Sequence, residues 1–252
     1  MAVDSAFDGS EALARLQARS YDLVLTDLLM PGIDGLTLIG RIREMRPDTK
    51  VVVMTAANTP GNLVASIREQ AFSYFGKPFS AAAVADTVKR ALESSECIDE
   101  IVVTSARPEW ISLKLPCRIE TADRLTQFFR EMRMGLPPEQ QDCIVTAFRE
   151  LLFNAIEHGG RSDPQKKVEL TYIRTSRAII YYIRDPGDGF SLDHLPHAAI
   201  SNRDDQPMEH AQIRQDLGIR PGGFGILLTR KLVDDLIYSE KGNEVLLIKY
   251  TS

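Results

Sequence analysis

Basic charge is what this sequence is short of: 30 Lys and Arg stand against 35 Asp and Glu, for a net charge of −5. A dedicated nucleic-acid binder usually presents a basic face, so this balance argues against nucleic acid as the main partner. Long apolar runs are missing as well. Nothing in the chain approaches the roughly 20 consecutive apolar residues of a bilayer-spanning helix, and the N-terminus has no basic-then-apolar signal pattern. Membrane embedding is thereby excluded, and a cytoplasmic location is expected. Cysteine is scarce: Cys97, Cys117 and Cys143 are odd in number and lack metal-like spacing, which fits reduced thiols. No internal repeat or low-complexity tract is visible. What is present is ordinary for a globular protein, with 44% hydrophobic and 26% charged residues among 252, enough for one large core or two modest ones.

Two patterns follow one another along the chain. Residues 1–95 alternate short β-branched runs with apolar residues at helical spacing. Tyr21 to Thr26 and Val51 to Met54 predict buried parallel strands, and Ser73 to Phe75 a third. Leu36 to Met45, Asn62 to Gln70 and Ser80 to Leu92 predict helices, giving βαβ units and a parallel sheet. The pattern weakens over 96–107, read as a linker. Over 108–252 the order changes. A strand from Trp110 to Leu115 precedes a helix from Ala122 to Met134, and Pro137 and Pro138 open a long helix. Val168 to Thr175 and Ala178 to Arg184 read as adjacent strands, followed by a long polar stretch of the kind that forms functional loops. Gly225 to Leu236 reads as a helix, and Glu244 to Tyr250 as the last strand.

In the first segment, Asp27 ends a predicted strand, Thr55 ends the next, and Lys77 follows the third. A carboxylate, a hydroxyl and an ammonium group therefore meet at the C-terminal edge of one parallel sheet, where open α/β sheets place their chemistry. By itself Asp27 also suits a turn. The ordered trio resembles the response-regulator receiver domain over residues 1 to about 95. The resemblance implies Asp27 as phosphoacceptor and Thr55 and Lys77 as contacts to the phosphoryl oxygens. It also implies an upstream histidine kinase. The stretch from Ala2 to Gly9 resembles the receiver's second strand and the turn after it, so the first strand and its Mg²⁺-binding acidic pair are expected to be missing here, either because the sequence is an incomplete version of a longer protein or because the domain is a degenerate docking surface. A flavodoxin-like sheet lacking its first strand, with exposed edges, is the expectation.

In the second segment, Glu150, Asn154 and His158 recur every four residues on the long helix and so share a face. An Asn oxygen suits Mg²⁺, which takes few protein ligands beside phosphates and water. Glu150 next to such a metal can orient or deprotonate a hydroxyl. In Asp185-Pro186-Gly187-Asp188-Gly189 a carboxylate can accept from an exocyclic amine, and the glycines let a flat base approach the backbone. Gly222, Gly223 and Gly225 precede a helix whose free N–H groups can face phosphates. Blander readings stand beside these: a surface ion pair for Glu150, a helix-end role for His158, a solvated turn for Asp188. Arg203, Arg214 and Arg220 are all candidates for the γ-phosphate.

These boxes resemble the GHKL ATPase superfamily over residues 108–252, and within it the anti-sigma-factor serine kinases. The resemblance implies an α+β two-layer sandwich of Bergerat type that binds ATP and Mg²⁺. Asn154 would be the metal ligand and Glu150 the catalytic residue. Asp185, Gly187, Gly189, Gly222, Gly223 and Gly225 would line the nucleotide. It further implies serine phosphorylation of a STAS-type anti-sigma-factor antagonist, contact with a sigma factor, and room for a homodimer. Two alternatives remain open: a non-catalytic, nucleotide-gated binder of the same partners, and a phosphate-sink receiver beside a vestigial ATPase-like domain.

Overall fold

The computed structural model describes residues 2–93, 101–189 and 225–251. They divide into two units, Met1–Val103 with Gln127–Arg133, and Thr104–Thr126 with Met134–Ser252.

Helix starts in the first unit are set by short polar side chains that satisfy otherwise unpaired N–H groups. Asp8 caps α1 (Gly9–Ala18) by accepting from Glu11 N, and Asp34 caps α2 (Gly35–Met45) by accepting from Thr37 N. Thr59 caps α3 (Pro60–Arg68), which also carries proline in its first turn. A fourth helix, α4, spans Ala81–Glu93. Between them run β1 (Leu23–Thr26), β2 (Lys50–Thr55) and β3 (Ser73–Gly76), a parallel sheet in the order β1-β2-β3. Val51, Val52 and Val53 on the middle strand are all buried, as expected for a strand covered on both faces.

β1 forms one edge of this sheet, and Leu25 on it is 43% exposed. Residues 2–7 do not form the strand that their sequence resembles; Val3 and Phe7 there are exposed. A strand exists only where a neighbour takes up its backbone hydrogen bonds, and these residues pair with none of the three.

The second unit contains most of β4 (Val102–Arg107), β5 (Trp110–Pro116), the first part of α5 (Ile119–Glu131), whose last residues belong to the first unit, and α6 (Pro138–Asn154). It continues with β6 (Lys167–Arg174), β7 (Ala178–Arg184), α7 (Gly225–Leu232), β8 (Asp235–Tyr238) and β9 (Glu244–Tyr250). Its six-stranded sheet has the order β4-β5-β6-β7-β9-β8, and the ladders of β5–β6, β6–β7, β7–β9 and β8–β9 are antiparallel. Alternation puts Ile111, Leu113, Leu115, Val168, Leu170, Tyr172, Tyr181 and Leu247 inside. Phe148 of α6 stacks on Tyr181 at 4.7 Å between ring centroids, and Tyr172 lies opposite Tyr181 in the ladder. This contact lays α6 on one face of the sheet and makes two layers.

The architecture is thus a parallel α/β unit followed by a two-layer α+β unit, as the sequence pattern predicts. Besides residues 2–7 and α1, where no helix is expected, two elements differ. Val102–Arg107, within the expected linker, is a strand; its residues are half-buried or exposed, so it carries little hydrophobic signal. The expected helix from Gly225 to Leu236 stops at Leu232, and Asp235–Tyr238 pairs with β9 instead. Asp234 accepts from Tyr250 N and Lys249 Nζ, which anchors the chain to β9 just where the helix would have continued. No helix among the described residues is long and apolar enough to cross a membrane.

Candidate functional site

The three strand ends of the first unit bring the predicted trio together. Lys77 Nζ donates to Asp27 Oδ2 at 2.7 Å, and Leu29 N donates to Oδ1 at 3.1 Å. Thr55, fully buried, is near enough to the Asp27 carboxyl to help lower it. Burial pushes this carboxyl up. The Lys77 and Leu29 hydrogen bonds and the Lys77 charge outweigh it, holding the carboxyl below its ordinary range. Asp27 is therefore an ionised carboxylate beside a cation at the sheet's C-terminal edge.

In the second unit, Glu150 and Asn154 share one face of α6, and α7 packs against that helix. The approach is close at the start of α7: a Cβ on Gly225 would lie 3.0 Å from Glu150 Oε2 and 3.6 Å from Asn154 Nδ2. The first turn of α7, with its unpaired N–H groups, thus starts against the Glu–Asn pair. Glu150 also has a loose ion pair with Arg149 at 3.8 Å, so the bland reading of this residue is partly realised. Arg149 is better held elsewhere, by Asp123 Oδ1 at 3.0 Å and over the Phe153 ring at 4.1 Å.

Beyond Asn154 the helix widens into a π turn over Ala155–Gly159, closed by Gly160 N donating to Ala155 O at 2.8 Å. The turn delivers Gly159 onto Asp185, and any Cβ on Gly159 would collide with that carboxyl. Asp185 Oδ1 accepts from Gly187 N at 2.7 Å. Burial pushes the Asp185 carboxyl above its ordinary range; the Gly187 N–H and the nearby Lys241 charge offset only part of this. A half-buried carboxylate with little local compensation is a strong acceptor awaiting a donor. His158 and Asp188 are exposed, in accord with their bland readings. Among the described residues no cluster of three or more His, Cys, Asp or Glu could hold a metal. The donor set fits a Mg²⁺ bound chiefly through phosphates with one carboxamide, not a protein cage.

The family model for the histidine kinase-like ATPase domain matches residues 115–249, more than half of the chain. The chain belongs to the histidine kinase-like ATPase family. Residues 1–89 match the response regulator receiver domain. Among curated relatives, the chain is 43% identical over 74 residues to the DNA-binding transcriptional regulator NtrC of Azospirillum brasilense, covering 29% of this chain and 15% of that protein. It is 38% identical over 91 residues to the transcriptional regulatory protein ResD of Bacillus subtilis, covering 36% and 38%. With the phosphate regulon transcriptional regulatory protein PhoB of Rhizobium meliloti it shares 33% over 140 residues, covering 53% and 56%. The chain therefore spans well under two thirds of each of these relatives. Among solved structures, the receiver domain of NtrX from Brucella abortus is 35% identical, covering 36% of this chain and 77% of that one at a TM-score of 0.34.

A histidine kinase-like ATPase domain joined to a receiver domain makes this an ATP-binding signalling protein. Within the ATPase domain, the structure brings Glu150, Asn154 and Gly225 together, and separately Asp185, Gly187 and Gly159. Gly222, Gly223 and the three candidate arginines lie outside the described residues. Sequence reasoning assigned no role to Gly159, Lys241 or Asn243, although Gly159 closes the Glu-Asn helix motif and Asn243 follows a turn glycine. Cys117 is buried, and burial pushes its thiol up to about 11, which leaves it unreactive at neutral pH.

Proposed function

We propose that this protein is an ATP-dependent serine/threonine kinase of the anti-sigma-factor type, governed by its receiver domain and acting on a STAS-type antagonist. The observation that carries the proposal is the placement of Gly225, at the start of α7, against both Glu150 and Asn154. Bound Mg·ATP would supply the phosphoryl group. The Asn154 oxygen would hold the metal, and Asp185 would accept from the exocyclic amine of the base. Gly187 and Gly189 let the loop pack closely against Gly159 and Lys241 beside the base, and the N–H groups of α7 face the phosphates. Glu150 accepts the proton of the substrate hydroxyl and aims its oxygen at the terminal phosphorus, with ADP leaving. Catalysis on this reading is positional and electrostatic. The state of Asp27 would bias partner access to the ATPase domain.

The Arg149–Glu150 ion pair favours a second reading, a nucleotide-gated binder that sequesters a sigma factor or its antagonist without transferring phosphate. Incubation with Mg·[γ-³²P]ATP and a STAS partner separates the two. Phosphoserine on the partner, abolished by Glu150→Ala while ATP binding persists, supports the kinase. Tight binding of ATP and partner with no transfer supports the gated binder. No ATP binding would retire both.

A further inference from the structure

The Asp185 loop is held from behind by the turn that joins β8 to β9. β7 and β9 pair as far as Arg184 opposite Glu244, and the next residues continue the contact. Asp185 N donates to Asn243 O at 3.0 Å, and Asn243 Nδ2 donates back to Asp185 O at 3.4 Å. Asn243 is only 7% exposed, so its amide has little access to water. One step outward, Lys241 Nζ donates to Gly187 O at 3.3 Å. Gly189, with φ at +84°, runs so close to the Lys241 carbonyl that any Cβ would collide with it. The turn is fixed in its own right: Gly242 N donates to Ser239 O at 2.9 Å, and Ser239 N to Glu244 O at 3.0 Å.

The bonds between this turn and the loop all involve the loop's backbone, and none of them goes to the Asp185 carboxylate. Among the described residues the carboxylate accepts from Gly187 N alone, and it lies against Gly159. From this division we infer that Asn243 is a positioning residue for base recognition, with Lys241 as its second tie. By holding the Asp185 peptide from one side it fixes the carboxylate at the height where a purine bearing an exocyclic amine is accepted and one bearing a carbonyl is refused. A buried acceptor rejects a ligand that lacks the matching donor, but only while the acceptor cannot move away. The inference rests on the ATP-binding reading above.

The test compares three ligands on the full chain by calorimetry: ATP, ITP (which carries a carbonyl where ATP has the amine) and inorganic tripolyphosphate. For Asn243→Ala, ATP affinity is expected to fall about tenfold, the loss of roughly one hydrogen bond's worth of order. ITP and tripolyphosphate affinities stay within about twofold, so the ATP-to-ITP preference shrinks. Asn243→Ser, which restores a donor, recovers part of that preference. Lys241→Met, at an exposed position, moves the preference the same way and serves where Asn243→Ala does not fold. An unchanged ATP-to-ITP ratio in both variants overturns the inference, as does an equal loss of all three ligands, which marks mere structural damage. Wild-type protein that binds no ATP overturns the ATP reading itself, a result visible before any variant is made.

Discussion

Two aspartates, Asp27 and Asp185, show how residues of one type are set to different tasks by their surroundings. Asp27 is held below its ordinary range. Its contribution to stability is therefore present above the unfolded Asp value and lost as pH falls through the folded one. Its partner Lys77 is 43% exposed, so the pair is worth no more than about 1 kcal/mol, and Asp27→Asn should cost at most that at pH 7. Asp185 runs the other way. Raised by burial, it stabilises the fold while protonated, and that contribution is lost as pH climbs through the folded value. Asp185→Asn should therefore melt no lower than wild type at pH 7, with its relative advantage vanishing in acid. The same substitution should weaken ATP binding roughly 100-fold, about 2.7 kcal/mol, through loss of a charged acceptor. Melting curves from pH 3 to 8 with calorimetry at pH 7 check both. A variant at Asp185 that is less stable at pH 7 yet binds ATP normally would show the carboxylate to be structural.

Elements were legible where a local rule writes itself into composition. The apolar spacing of α2 and α3, the proline start of α6 and the β-branched runs of β6 and β7 all leave residue-level marks, and those elements stand within about two residues of where the sequence puts them. The π turn leaves none, because an extra residue per turn changes hydrogen bonding without changing residue type. β8 was absorbed into a helix because Leu228, Leu232 and Leu236 keep helical spacing across the break. Asp234 and its partners on β9 decide otherwise, and those are long-range contacts. The π turn also makes a prediction. Gly159→Ala puts a methyl into the Asp185 carboxyl, so it should cost about 1–3 kcal/mol and abolish ATP binding, since neither a helix end nor a half-buried loop can step aside cheaply. Gly225→Ala meets the movable end of Glu150, so stability should hardly change while phosphoryl transfer drops. If Gly159→Ala binds ATP as wild type does, the π turn does not set the base site.

At the scale of the whole chain, the two-domain order was readable because each half carries its own ordered motif, whereas the boundary was blurred by β4, a strand with little apolar content. What the order of domains implies for control can be put as a free energy. If the state of Asp27 governs the ATPase domain, the two ligands are coupled, and coupling is reciprocal by thermodynamic necessity. Beryllofluoride with Mg²⁺ mimics the phosphoryl group reversibly, so both directions can be measured on the full chain. The factor by which beryllofluoride changes ATP affinity must equal the factor by which ATP changes beryllofluoride affinity. Working allosteric couplings of about 1–3 kcal/mol would make that factor roughly 5 to 150. Asp27→Asn should abolish it in both directions and leave intrinsic ATP affinity alone, because the carboxyl it removes is the one that binds beryllofluoride. Equal, non-unit factors establish control by the receiver. Factors of one in both directions retire that control while leaving the chemistry assigned to Glu150 and Asn154 intact.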